Sequence, residues 1–355
     1  MDDNNHIHYM QQALALARGV LGTTAPNPAV GCVLVKNGRI IGKGATGAGG
    51  RPHAETQALL NAKSEDPSGA TAYITLEPCC HYGKTPPCAD ALINAGISTC
   101  VVALTDPNPK VSGGGLRMLA KAGIDIIEGI CEQEAREINQ GFFMTQTKNR
   151  PWVTLKLATS LDGKIACANG HSQWITSPKS RDYAHKLRST HDAILVGVGT
   201  IIADNPALTC RLAGHEDRSP VRVILDANLE TPASSQILTD GNPTWIYTTL
   251  AQPNTAITDY ISLDPHKLDK ILLDLASRGI TRLLVEGGHR VATSFLQSGL
   301  VDELIWIRAP IIIGGDGMDA IGNLNHEAVD ECPQLTLKER FVMDEDVAEV
   351  YGGIY

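Results

Sequence analysis

Three side chains in this sequence have the types and spacing to hold a metal ion: His53, Cys79 and Cys88. One imidazole and two thiolates suit Zn²⁺ and leave a fourth tetrahedral position open for water. An open position is what catalysis needs, because the metal lowers the pKa of its water until hydroxide exists near neutral pH. Glu55 follows His53 by two residues. At the start of a helix that spacing puts a carboxylate beside the metal without ligating it. There it can take a proton from water and pass it to a leaving group.

The order His53-Ala54-Glu55, then Glu77-Pro78-Cys79, then Cys88 has the layout of zinc nucleobase deaminases. In those the two cysteines are closer together. Residues 80–87 therefore read as an insertion at the mouth of the site. Cys80 is a rival ligand by proximity, although adjacent side chains rarely both face one metal. His81 can ligate too, but suits substrate contact better. A closed structural zinc site, or no metal, is the bland alternative. Asn27, between two prolines, can read a base edge or simply form a turn. Asp106-Pro107-Asn108-Pro109 follows a strand end, where ligands often bind in such sheets; turn chemistry alone also explains it.

The second half offers two glycine-bearing strand ends, Gly197-Val198-Gly199-Thr200 and Gly287-Gly288. Each follows an apolar strand and precedes a helix-like stretch, so each can bring a backbone and a helix N-terminus to a phosphate. Neither is a full G-x-G-x-x-G, and both can be plain helix-initiating turns. Arg188 and Arg211 can clamp a phosphate or be solvated charges. Trp174 can cover a cofactor or fill core. Glu286 can contact sugar hydroxyls or cap a helix. Gly314-Gly315-Asp316-Gly317 is a third place where backbone could approach a ligand.

These residues need elements to hold them. Hydrophobic periodicity predicts helices over 8–18, 53–62, 88–95, 116–122 and 132–146. It predicts strands over 30–35, 39–44, 71–76, 99–104 and 125–130, with Asn37-Gly38 as a hairpin turn. Lys148-Asn149-Arg150-Pro151 is a polar boundary before a new apolar strand, 152–157. Beyond it come helices over 177–188, 267–278 and 291–297, and strands over 193–198, 221–226, 244–247, 282–285 and 303–309. Residues 234–253 look loop-rich. Strands alternating with helices predict α/β sheets with parallel pairs.

The bulk numbers exclude several classes. A length of 355 residues predicts two domains. A 43% hydrophobic and 19% charged composition is that of an ordinary globular protein. No apolar run is long enough to cross a bilayer. The first nine residues are acidic and polar, unlike a secretory signal. A net charge of −9 disfavours nucleic acid as the main partner, but not one small phosphorylated ligand. Nine cysteines in a chain read as cytoplasmic predict reduced thiols for metal binding or catalysis.

The run Thr75-Leu-Glu-Pro-Cys-Cys-His-Tyr-Gly-Lys-Thr-Pro-Pro-Cys88 resembles the bifunctional riboflavin-biosynthesis deaminase/reductase family. So do Asp106-Pro-Asn-Pro, Lys156-Leu-Ala-Thr-Ser-Leu-Asp-Gly, Ser172-Gln-Trp-Ile-Thr and Val285-Glu-Gly-Gly, and the likeness spans essentially the whole chain. The resemblance implies a cytidine-deaminase-like three-layer domain over 1–149 and a dihydrofolate-reductase-like domain over 150–355. It implies two steps on a ribosylaminopyrimidine phosphate. Zinc hydroxide displaces ammonia from the ring carbon bearing the 2-amino group. NADPH then reduces the ribosylamino group to ribitylamino.

By the same resemblance His53, Cys79 and Cys88 are zinc ligands and Glu55 the proton shuttle, while Asn27, His81 and Lys84 contact the deaminase substrate. Ala158, Trp174, Thr200, Asp204 and the turn Gly288, His289, Arg290, Val291, Ala292, Thr293, Ser294 match cofactor positions. Ser172, Arg188, Leu208, Arg211 and Glu286 match reductase substrate positions, with Lys156 near the sugar. Two positions depart from the family. Thr46 stands where many members have His, and Ala227 where some have Ser. A homo-oligomer is expected, because related deaminases and reductases often share interfaces. The rival enzyme is a zinc nucleoside, nucleobase or tRNA deaminase whose second domain only positions substrate. A regulatory binding protein with structural zinc is the non-enzymatic alternative.

Overall fold

A computed structural model describes residues 3–62, 65–83, 86–108 and 112–353. The chain forms two compact units that divide between Asn149 and Arg150.

The first unit runs α1 (Asp3–Gly19), β1 (Gly31–Lys36), β2 (Arg39–Ala45), α2 (Ala54–Asn61), β3 (Thr71–Ile74), α3 (Cys88–Asn94), β4 (Thr99–Val102), α4 (Gly114–Lys121), β5 (Asp125–Glu128) and α5 (Glu132–Lys148). Its sheet has the order β2-β1-β3-β4-β5. The β1–β2 and β1–β3 pairs are antiparallel, and β3–β4 and β4–β5 are parallel. Asn37 and Gly38 both take positive φ, 51° and 74°, as a two-residue hairpin turn requires. The core is largely aliphatic, with Leu14, Val33, Leu34, Ile74, Leu92 and Val101 wholly buried together with the aromatic Tyr73.

The seat of α2 depends on glycine. A Cβ on Gly44 would lie 2.2 Å from the Ala54 carbonyl oxygen, and one on Gly42 2.3 Å from that of Ala58. Without side chains at these two positions, the helix backbone lies directly against β2. His53 is the residue before that helix, in extended conformation, so its imidazole leaves the helix start while Glu55 enters the first turn.

The second unit runs β6 (Trp152–Thr159), β7 (Lys164–Ala166), α6 (Pro178–Ser189), β8 (Ala193–Gly197), α7 (Val198–Asp204), β9 (Val221–Leu225), α8 (Gln236–Thr239) and β10 (Thr244–Thr248). It continues with β11 (Thr258–Ser262), α9 (Leu268–Ser277), β12 (Arg282–Val285), α10 (His289–Gln297), β13 (Glu303–Arg308), β14 (Met318–Asp319), β15 (Thr336–Met343) and β16 (Asp346–Gly352). A nine-stranded sheet has the order β11-β10-β9-β8-β12-β6-β13-β16-β15. It is parallel from β11 to β13, and β16 and β15 then add antiparallel. β7 and β14 form a separate ribbon. The central strands are buried on both faces: Leu283 and Val285 join one apolar cluster and Leu284 the other. That explains their continuous rather than alternating apolar runs. Each such leucine adds about 2–3 kcal/mol on burial.

The helix expected over 291–297 begins two residues earlier, at His289. Most of what was read as a cofactor turn, His289 to Ser294, is therefore helix, and only Gly288 remains as its cap. Val198, expected to end a strand, opens α7. The loop-rich stretch 234–253 holds the short α8 as well as β10.

Candidate active sites

His53, Cys79 and Cys88 meet at one point, their ligand atoms all within 4.8 Å of one another. His53 Nδ1 lies 3.2 Å from Cys88 Sγ and 3.6 Å from Cys79 Sγ. Tetrahedral Zn²⁺ with ordinary bond lengths separates such N and S ligands by about 3.6 Å. The donor set and its spacing therefore fit zinc. Three elements supply it: the cap of α2, the loop after β3, and the first residue of α3. Among the described residues Cys80 is outside this group.

The titratable groups of the site shift one another strongly. The hydrogen bond from the Cys88 thiol, helped by His53 against the effect of burial, draws the Cys79 thiol down to about 4. Sharing that bond, together with burial, pushes Cys88 up. Glu55 is 4% exposed. Burial first, and the Cys79 charge next, push its carboxyl up to about 7. A carboxyl near neutrality both accepts and returns a proton.

A cavity of about 320 Å³ opens beside these groups, lined by Asn27, Glu55, His81, Asp106 and Asn108 among others. Asn27 and His81, expected to contact substrate, are in this lining; Lys84 lies outside the described residues, as does Pro109. Thr46 also lines the cavity, but its Oγ1 accepts the N–H of Val30, just before β1, at 2.9 Å. Asp106 accepts the Asn108 N–H at 2.8 Å, so the segment is both a turn and a cavity wall. Burial pushes its carboxyl up to about 6.

Two positioning roles had no sequence signal. Glu77 is buried and accepts the backbone N–H groups of Asp106, Gly113, Gly115 and Leu116, at 3.2, 2.8, 2.9 and 3.4 Å. It ties the Cys79 segment to the Asp106 wall and to the start of α4. Asn139 in α5 accepts the Ala29 N–H at 2.9 Å and donates to the Ala29 carbonyl at 3.0 Å, which fixes the segment carrying Asn27. Phe142 and Gln146 bring α5 to the cavity, and Arg51 lines it from the loop before His53.

In the second unit the two glycine-bearing strand ends meet. Thr200 Oγ1 in α7 accepts the Gly288 N–H at 3.2 Å. Gly288 caps α10, whose N-terminus offers N–H groups and a positive dipole end. This donor set fits the phosphates of a dinucleotide. Asp204 closes α7, and burial raises its carboxyl. Ala158 sits near the end of β6 opposite Ile307. Trp174 is 67% exposed, with the Arg181 guanidinium 4.6 Å from its ring centre.

Arg188 Nε and Nη2 donate to the two Glu286 oxygens at 2.9 and 3.0 Å, and Nη1 donates to the Thr209 carbonyl. The Arg188 fork is filled by Glu286, while Arg211 is exposed and gives its backbone N–H to His185. Burial lowers the Lys156 ammonium, with the Glu286 charge opposing. Burial alone would raise Glu286, but Arg188 and Lys156 outweigh it and hold the carboxyl at about 2. Lys156, Arg188 and Glu286 thus form one charged group. Leu208 is buried with φ of 55°, so it can face a ligand only through its backbone. Ser172 lies half-buried before Trp174, and its carbonyl accepts the Ile175 N–H.

Two family models match the chain. "RibD C-terminal domain" covers residues 151–348, and "Cytidine and deoxycytidylate deaminase zinc-binding region" covers 3–104. The riboflavin biosynthesis protein RibD of Aquifex aeolicus is 45% identical over 346 residues, covering 96% of each chain. That of Escherichia coli K12 is 41% identical over 349 residues, covering 94% of this chain and 95% of the relative. The crystal structure of a diaminohydroxyphosphoribosylaminopyrimidine deaminase/5-amino-6-(5-phosphoribosylamino)uracil reductase from Thermotoga maritima matches 99% of both chains, with a TM-score of 0.91 and 37% identity. Acinetobacter baumannii RibD matches with a TM-score of 0.89 and 37% identity, again over 99% of both chains.

Proposed function

The chain belongs to the bifunctional riboflavin-biosynthesis deaminase/reductase family, and we propose that its first unit carries the deaminase and its second the reductase. The enzyme is a hydrolase and an NADPH-dependent oxidoreductase that uses zinc. Its substrate is read as 2,5-diamino-6-ribosylamino-4(3H)-pyrimidinone 5′-phosphate.

In the deaminase, His53, Cys79 and Cys88 hold the zinc, which when bound supplies a water acidic enough to ionise near neutral pH. Glu55 takes the proton released from water and returns it to the departing amine, so ammonia leaves as a neutral molecule. Asn27, His81 and the Asp106 wall orient the pyrimidine, and Lys84 belongs to the same contact set. The observation that carries this reading is the approach of His53 Nδ1 to both cysteine sulfurs beside a buried Glu55.

In the reductase, Thr200, Gly288 and the first turns of α10 hold the phosphates of NADPH, with Ala158, Trp174 and Asp204 as further contacts. NADPH, when bound, supplies the hydride that the sugar C1′ receives. Lys156 holds a proton at Nζ for the opened sugar, and the Arg188–Glu286 pair orients it. Ser172, Leu208 and Arg211 complete the substrate contacts. No disulfide joins the described cysteines, which fits a reducing compartment; on that ground we place the enzyme in the cytoplasm.

The test is a sequential assay on one zinc-loaded sample. Ammonia is followed from the diaminopyrimidine ribosyl phosphate, then NADPH absorbance. NADPH oxidation that depends on prior ammonia release is expected. Ammonia without any NADPH loss would overturn the reductase half.

A further inference from the structure

Arg51 is the one lysine or arginine among the described residues lining the deaminase cavity. The carboxylates lining it are Glu55, Glu77 and Asp106, and both Glu77 oxygens already accept backbone N–H groups. Arg51 stands two residues before His53, and both line the cavity. Its guanidinium also reaches the insertion at the mouth: Nη2 would lie 3.7 Å from a Cβ built on Gly83. The side chain therefore runs from the metal ligands to the rim beside His81. Thr46, which also lines the cavity, offers only a hydroxyl engaged with Val30.

We propose that Arg51 reads the phosphate of the deaminase substrate. The inference rests on the deaminase reading above. A pyrimidine held with its amino-bearing carbon at the metal must direct its ribosyl phosphate elsewhere, and a dianion needs a permanent cation. Guanidinium matches phosphate oxygens two at a time and stays charged at every working pH. Arg51 is thus a specificity residue: it selects the phosphorylated pyrimidine over the same riboside without phosphate, and takes no part in proton transfer.

The experiment measures ammonia release by the zinc-loaded full chain and by its Arg51→Ala, Arg51→Lys and Arg51→Glu variants. Two substrates are compared: the diaminopyrimidine ribosyl phosphate and its dephosphorylated riboside. Zinc content and thermal midpoint are recorded for each protein. For the phosphorylated substrate, Arg51→Ala raises KM by about 10- to 100-fold, the range for losing a charge-assisted hydrogen bond. Its kcat stays within about threefold, because the interaction is uniform through the reaction. Arg51→Lys recovers part of the loss and Arg51→Glu deepens it. On the riboside, wild type and Arg51→Ala share one KM. An unchanged KM for the phosphorylated substrate in Arg51→Ala would overturn the proposal. So would equal losses on both substrates, which mark a structural role. Absence of ammonia from the wild type with either substrate would overturn the deaminase reading itself.

Discussion

Glu77 Oε1 accepts the backbone N–H of Gly115 at 2.9 Å across 38 residues of sequence. Gly115 belongs to the first turn of α4, where N–H groups have no partner within the helix. The same carboxylate holds Asp106 and Gly113, and Cys79 follows it by two residues. One buried side chain thus joins a helix start, a cavity wall and a metal-ligand loop. Glu77→Gln puts an amide donor against these N–H groups. We expect a loss of about 3–5 kcal/mol in urea unfolding of the first unit, the range for breaking a buried charged contact. A loss below about 1 kcal/mol would mean that water replaces the carboxylate.

Asn139→Ala removes both bonds to Ala29 and leaves that buried N–H and C=O without partners. The expected cost is about 2–4 kcal/mol. Because the segment carries Asn27, KM for deamination should rise about tenfold, with zinc content unchanged. Metal analysis and initial rates on the same preparation check both parts. A stability loss with KM unaltered would remove Asn27 from the substrate contacts.

Removal of zinc by a chelator should abolish ammonia release and spare NADPH oxidation on pyrimidine that is already deaminated. Added Zn²⁺ should restore the first activity. Simultaneous loss of both activities would contradict the assignment of metal to the first unit.

The Arg188–Glu286 pair predicts an acid limb in stability. Glu286 titrates at about 2 in the folded protein against an ordinary 4.5. A carboxyl depressed by folding stabilises fully above the unfolded value, and the contribution is lost as pH falls from about 4.5 toward about 2. The difference is on the order of 3 kcal/mol. In urea unfolding of the second unit at pH 6 and pH 3, the gap between wild type and Glu286→Gln should shrink at the lower pH. A gap independent of pH would show that folding does not shift the Glu286 carboxyl, against the hold of Arg188 on it.

Much of this architecture was legible because it is local. His53, Glu55, Cys79 and Cys88 carry their chemistry in residue type and spacing, and Asn37-Gly38 announces its hairpin. The Thr200–Gly288 contact joins two motifs that were each readable alone, but their meeting depends on β8 and β12 being neighbours. Glu77 looked like part of a metal motif, because its partners lie about 30 to 40 residues away. Asn139 sits in a helix whose charged face hides one buried amide. The Arg188–Glu286 pair was not legible, because its partners, in α6 and just after β12, lie 98 residues apart. β15 and β16 were missed because the exposed β15, Thr336–Met343, mixes charge with apolar residues and forms only by pairing with β16, itself held by β13.

The central claim is that separate residues of one chain perform two reactions, with Glu55 moving the proton in the first. Glu55→Gln keeps the shape and removes the proton-accepting group. One preparation should be assayed for zinc content, ammonia release, and NADPH oxidation on the deaminated pyrimidine. The prediction is wild-type zinc, ammonia release reduced about 100- to 10,000-fold, and unchanged NADPH oxidation. Ammonia release at the wild-type rate with zinc in place would contradict the account.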